Sequence, residues 1–105
     1  MAHPPALSDE QRQLALARAA EVRRARAELK EKLKMGSVSL REVLAQAETD
    51  DTVGRMKVVS VLESLPGVGK VKARRTMEEI GIDDARRLRG LGEKQRRALL
   101  DAFGG

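Results

Sequence analysis

The 105-residue chain has no cysteine, tryptophan or tyrosine, and it carries one phenylalanine, Phe103, and one histidine, His3. Each absence removes a class of function. Without cysteine there is no disulfide, no thiolate metal site and no thiol nucleophile, a composition that suits a reducing cytoplasm. His3 stands alone, so neither a histidine-based triad nor a histidine metal site has its members. The acidic pairs Asp50/Asp51, Glu78/Glu79 and Asp83/Asp84 are adjacent in sequence. Neighbours of that kind do not face each other on a helix, so they read as caps and solvated turns rather than paired catalytic carboxylates. A single aromatic leaves no stacking platform for single-stranded nucleic acid. No apolar run is long enough to span a membrane. The opening Met1-Ala2-His3-Pro4-Pro5 lacks the basic start and apolar stretch of a signal peptide. No segment alternates with period two for long enough to form a strand. The expectation is a non-enzymatic protein without metal or cofactor, and without a membrane partner.

What remains is aliphatic and charged. The core must be built from Leu, Val, Ile, Met and Ala, which suits a small helical domain. The net charge of +5 is unevenly placed. Residues 1–54 hold nine basic and nine acidic side chains, whereas residues 55–105 hold twelve basic and seven acidic. A one-sided basic excess is the electrostatic footprint of a nucleic-acid binder.

The basic half is organised around Leu65-Pro66-Gly67-Val68-Gly69-Lys70-Val71-Lys72-Ala73. Proline without an N–H ends a helix, and the two glycines admit backbone angles and close approaches that a Cβ forbids. The stretch therefore predicts a tight hairpin between two helices, with Val68 pinned in the core. The N-terminus of the second helix then presents free N–H groups beside Lys70 and Lys72, an arrangement suited to phosphate. The P-loop pattern does not fit, because Val71 follows Lys70 and no strand precedes the glycines.

Along the chain, Met1–Leu7 reads as an extended arm. Ser8 and Gln11 form a capping box for a long helix from Asp9 to about Met35, closed by Gly36. Its stripe of Leu14, Arg18, Val22, Ala25, Leu29 and Leu33 is only thinly apolar, so its first half is expected to project from the body. Lys30, Lys32 and Lys34 complement its dipole. Ser39 and Glu42 cap a second helix, flanked by the staple pair Val38 and Val43. Asp50-Asp51 marks a turn before a short helical turn over Val53–Met56. A helix over Lys57–Leu65 precedes the hairpin. After it, Lys70–Ile80 should bury Val71, Ala73, Met77 and Ile80 and stop at Gly81. Asp83 can cap a short turn through Arg86 and Arg87, and a last helix spans Glu93–Phe103.

The hairpin has an echo. Leu88-Arg89-Gly90-Leu91-Gly92 repeats leucine and two glycines around a branched residue, again ahead of a basic helix start. Arg86, Arg87 and Arg89 cluster there, and a guanidinium fork suits phosphate. Lys94, Arg96 and Arg97 add charge on the last helix. Taken singly, each of these is also what a solvated surface shows. Their concentration in one half is what points to nucleic-acid phosphates. An arginine in a narrow minor groove reads shape rather than base identity.

The hairpin resembles helix-hairpin-helix and helix-two-turn-helix modules. The hairpin, Leu7–Gln11, Arg23–Leu33, Gly54-Arg55-Met56-Lys57-Val58 and Arg86–Gly92 together resemble the actinobacterial integration host factors over nearly the whole chain. The resemblance implies an all-α fold, with an arm and long helix over residues 1–36 and a compact, S13-like helix-two-turn-helix DNA-binding domain over residues 37–105. It implies a monomeric, nucleoid-associated protein of the cytoplasm. Such a protein binds double-stranded DNA with little sequence preference, alters its curvature and topology, and supports phage integrase complexes. The DNA-contacting positions it implies are Ser64, Leu65, Pro66, Gly67, Val68, Gly69, Lys70, Val71 and Lys72, with Arg86, Arg87, Arg89, Gly90 and Gly92. Two alternatives share the motif. One is an RNA- or ribosome-associated module. The other is a repair glycosylase, for which the N-terminal proline and zinc site are missing.

Overall fold

A computed structural model describes residues 8–104; the expected arm over Met1–Leu7 lies outside them. Six α-helices follow in order: α1 Asp9–Lys34, α2 Leu40–Thr49, α3 Asp51–Gly54, α4 Val58–Glu63, α5 Lys70–Ile80 and α6 Glu93–Phe103, with a 3-10 turn over Leu88–Gly90 before α6.

Local sequence explains most boundaries. Ser8 and Gln11 form the reciprocal capping box of α1. Gly36 takes φ +74°, so that Gly36 N–H reaches Leu33 O and Ser37 N–H reaches Lys32 O. This is the left-handed glycine stop that satisfies the last carbonyls. Ser39 Oγ accepts from Glu42 N–H at 3.1 Å to start α2. Asp50 Oδ1 accepts from Thr52 and Val53 N–H, so α3 begins at Asp51, earlier than the Val53 expected. Helix α4 is shorter than its apolar spacing suggested: Ser64 is its cap and Leu65–Val68 already belong to the turn. Gly81 ends α5 at φ +87°, as expected.

The core gathers around Leu33, Val43, Val58, Val61, Leu62, Met77 and Leu99, all fully buried. Burying each aliphatic side chain contributes about 1.5–3 kcal/mol. Phe103, the lone aromatic, packs at the edge with Leu100. Helix α1 joins this core through Leu29 and Leu33, and Arg26 Nε donates to Thr52 O of α3 at 3.4 Å. Residues 11–21 of α1 are exposed throughout, with Leu14 and Leu16 about three-fifths open to solvent. The first half of the helix therefore projects as its thin stripe predicted, and the longest axis reaches 55 Å against 30 and 26 Å.

One connection escaped the periodicity argument. An isolated antiparallel bridge joins Lys57 to Arg87. Val58 N–H donates to Arg86 O and Leu88 N–H to Met56 O, both at 2.9 Å. Two residues of extended backbone carry no alternation to read, yet this bridge ties the second glycine turn to the start of α4. Asp83 closes the turn before it through its backbone carbonyl, which accepts from Arg86 N–H.

Candidate nucleic-acid interface

The hairpin between α4 and α5 follows from three residue types. Leu65 O accepts from Val68 N–H at 3.1 Å, with Pro66 second and Gly67 third at φ +73°. Proline then positive-φ glycine is the signature of a type II turn. Val68 is buried and anchors the loop, as expected. Gly69 has an ordinary φ of −91° and serves as the N-cap position of α5. The hairpin thus depends on left-handed backbone at Gly67, not at Gly69. A Cβ at either glycine would meet nothing within 4 Å, so the loop's outer face is open to an approaching backbone.

Helices α4 and α5 both start without a side-chain cap or an acidic first turn, but at α4 the first N–H, that of Val58, donates to Arg86 O instead. Oxygens of Ser8, Ser39 and Asp50 cap α1, α2 and α3, and Gln95 Oε1 accepts from Gly92 N–H at the start of α6. Those four helices also carry an acidic residue in their first turn, which the positive end of a helix dipole favours. Helix α5 has neither: among the described residues no side chain caps it, and its first turn contains Lys70 and Lys72. Glycine in place of a capping Ser, Asp or Asn costs a few tenths of a kcal/mol, and lysines at the positive end add to the cost. Local stability is given up here, and what remains is a cluster of outward N–H donors and ammonium groups.

Around this start the expected contact residues divide. Pro66, Gly67, Gly69, Lys70, Val71 and Lys72 are exposed and Leu65 is half-buried. Ser64 and Val68 turn inward, and Ser64 Oγ donates to Ser60 O at 2.9 Å. Val71 was expected in the core but is 71% exposed. Lys70 and Val71 open the helix, and the inward face is filled by Ala73, Met77 and the half-buried Ile80, leaving Val71 on the solvent side.

The structure adds residues whose role sequence reasoning had assigned to the helix dipole. Lys30 and Lys34 of α1 line one groove with Ser60, Glu63, Ser64, Gly69 and Lys70. Lys32 lines a different groove, beside Arg26 and Glu28. Their 30/34 spacing places them on one helix face, but which face meets the hairpin required the packing of Leu29 and Leu33.

The second turn is more internally engaged than its charge implied. Arg86 Nη1 donates to Gly90 O at 3.1 Å, and Arg87 Nη1 donates to Arg55 O at 2.5 Å. Arg89 Nη1 pairs with Asp51 Oδ1 at 2.6 Å, and its Nη2 donates to Ala47 O at 3.4 Å. The Arg89 hydrogen bond, then its charge, with a smaller pull from Arg55, lower the Asp51 pKa against a weak opposing effect of burial. Each guanidinium has five N–H donors, so these bonds position the three arginines and leave donors for an outside acceptor. All three side chains, with Gly90 and Gly92, are exposed. On α6, Arg96 pairs with Glu48 at 2.5 Å and Arg97 with Glu93 at 3.6 Å. These two arginines contribute less uncompensated charge than expected. The two turns flank α4, the second tied to its start and the hairpin following its end, about 9 Å of helical rise apart.

Residues 33–103 match the S13-like H2TH domain model. The chain is 59% identical over 99 residues to the integration host factor of Mycolicibacterium smegmatis, with 94% of each chain covered. It is 53% identical over 104 residues to that of Streptomyces coelicolor, covering 99% of this chain and 96% of the relative. The chain belongs to the integration host factor family. The Mycobacterium tuberculosis member is 58% identical over 95% of both chains. A solved structure, described as sIHF bound to an 8bp palindromic DNA, superposes with a TM-score of 0.82 at 51% identity. It covers 84% of this chain and 99% of that one. Family membership and the all-helical architecture thus agree with the resemblance first carried by the hairpin, Gly54–Val58 and Arg86–Gly92. Among the described residues no group of three acidic, histidine or cysteine side chains is placed to hold a metal ion. No helix there is long and apolar enough to cross a membrane.

Proposed function

We propose that this protein is an architectural binder of double-stranded DNA that grips the sugar-phosphate backbone with little regard to base sequence. The observation that carries the reading is the uncapped, lysine-bearing start of α5 beside an open glycine hairpin. That combination disfavours the free helix and favours a bound anion. The relative described as bound to DNA supports the same partner. In this reading the hairpin N–H groups, Lys70 and Lys72 hold one phosphate run, and Lys30 and Lys34 extend it. Arg86, Arg87 and Arg89 engage phosphates or the adjoining minor groove from the second turn. Ser64 and Val68 shape the loop from within, and Gly90 and Gly92 shape the second turn. Contacts at both ends of α4 give a short protein two holds on one duplex, the minimum needed to alter its path.

The same reading extends to a monomer acting in the nucleoid, with effects on DNA curvature and topology and support of phage integrase complexes. Residues 1–36, the N-terminal division that contains α1, and residues 37–105, the DNA-binding division, are its functional divisions. It is a binding reading, not an enzymatic one. Gly69→Asp tests it: a Cβ fits there without a clash and φ is permissive, while the carboxylate caps α5 and repels phosphate. The variant is expected to melt slightly higher than the wild type, since aspartate outperforms glycine as a cap by a few tenths of a kcal/mol. It is expected to bind duplex DNA at least tenfold more weakly. Unchanged affinity would move the interface away from the hairpin. Competition with structured RNA separates the ribosome-associated alternative, which predicts preference for the RNA.

A further inference from the structure

We propose that Asp51 masks the DNA interface, pairing with Arg89 as an exchangeable counterion that a duplex phosphate replaces. The inference rests on the DNA-binding reading above. Two kinds of restraint act on Arg89. One belongs to the body of the fold. Its Nη2 donates to Ala47 O at 3.4 Å, and the guanidinium lies over buried Gly54, where a Cβ would stand 2.9 Å from Nε and 3.1 Å from Cζ. The same Cβ would stand 2.7 Å from Ala47 O. Only a hydrogen fits between the backbone of α3 and the plane of the guanidinium. The other restraint is Asp51, 2.6 Å from Nη1, and it faces solvent: the Asp51 side chain is 75% exposed and that of Arg89 46%.

The two restraints therefore separate cleanly. A phosphate oxygen reaches the solvent side of the guanidinium without disturbing the Gly54 floor or the Ala47 bond. Exposed ion pairs are weak, whereas phosphate offers Arg a full bidentate acceptor. The side-chain cap of α3 does not depend on the exchanged carboxylate, because Asp50, not Asp51, supplies it. Until the exchange occurs, Asp51 neutralises Arg89 and repels an approaching strand. Arg89 is thus held ready in geometry but masked in charge, and Asp51 lowers the protein's affinity for DNA.

A double-mutant cycle on one duplex at fixed salt tests this. Asp51→Asn is expected to tighten binding about two- to fivefold, the range of an exposed pair. Asp51→Glu is expected to return affinity toward wild type. Arg89→Gln is expected to weaken binding, and Asp51→Asn in that background to lose most of its effect. A spectroscopic readout separates exchange from a merely structural role. The Arg89 Nε–Hε resonance should differ between free wild type and free Asp51→Asn, and coincide in their saturated duplex complexes. If Asp51→Asn leaves affinity unchanged or lowers it while Arg89→Gln still weakens binding, the exchange is wrong and the DNA-binding reading stands. If Arg89→Gln binds like wild type, Arg89 is no part of the interface and the exchange fails together with that part of the reading.

Discussion

At the scale of single residues, the two hairpin glycines look alike in sequence and do different things. Gly67 holds φ +73°, a region that costs an L-residue roughly 1–2 kcal/mol. Gly69 holds −91° with open space where a Cβ would go. Gly67→Ala should therefore lower the urea midpoint measurably. Gly69→Ala should leave it close to wild type, with the small loss that alanine brings as a cap. Equal effects would contradict the assignment of the turn to Gly67. Asp51 makes a second residue-scale case. Its folded-state pKa is depressed by Arg89, so the pair contributes fully above the ordinary carboxylate pKa. That contribution fades as pH falls through the lowered value. The stability difference between wild type and Asp51→Asn should then be constant at neutral pH and shrink toward zero in acid. Chemical denaturation from pH 7 down to pH 2 measures it, and a difference that grows in acid would contradict the pairing.

At the scale of elements, helices with a local signature were legible from the chain. Ser8/Gln11, Ser39, Gly36 and Gly81 mark starts and stops that the structure keeps, and α6 spans the expected Glu93–Phe103. What resisted reading depends on packing across distance. Val71 carries the apolar chemistry of a core residue, but its place in the first turn of α5 leaves it outside. The Lys57–Arg87 bridge is too short to show a period. Charge counting marked the Arg86–Arg89 turn correctly as basic and exposed, yet could not show that all three guanidiniums also bond within the fold. Nor could it separate Lys30 and Lys34 from Lys32. That separation is testable. Each phosphate contact contributes about 0.9 to the slope of log affinity against log salt. The double change Lys30→Gln, Lys34→Gln should reduce that slope by nearly 2, and Lys32→Gln should leave it unchanged. Equal losses from both would mean that net charge, not the hairpin groove, is being read.

At the scale of the whole molecule, a modest aliphatic core carries a surface whose basic excess lies in residues 55–105. The shape is a compact body with a projecting helical rod. Family membership accounts for the architecture, and the chain's own residues account for how a DNA backbone would be held. There is an open glycine loop, a helix start left uncapped, and arginines anchored by one or two donors with others available. In the proposed reading, recognition rests on charge, spacing and groove shape rather than on base edges. The central claim is that affinity comes from the backbone. It is tested most directly by titrating the protein with several unrelated duplexes of equal length across a salt series. The account predicts affinities within a few-fold of one another and a steep linear fall of log affinity with log salt. A strong preference for one duplex, with affinity nearly flat in salt, would contradict it.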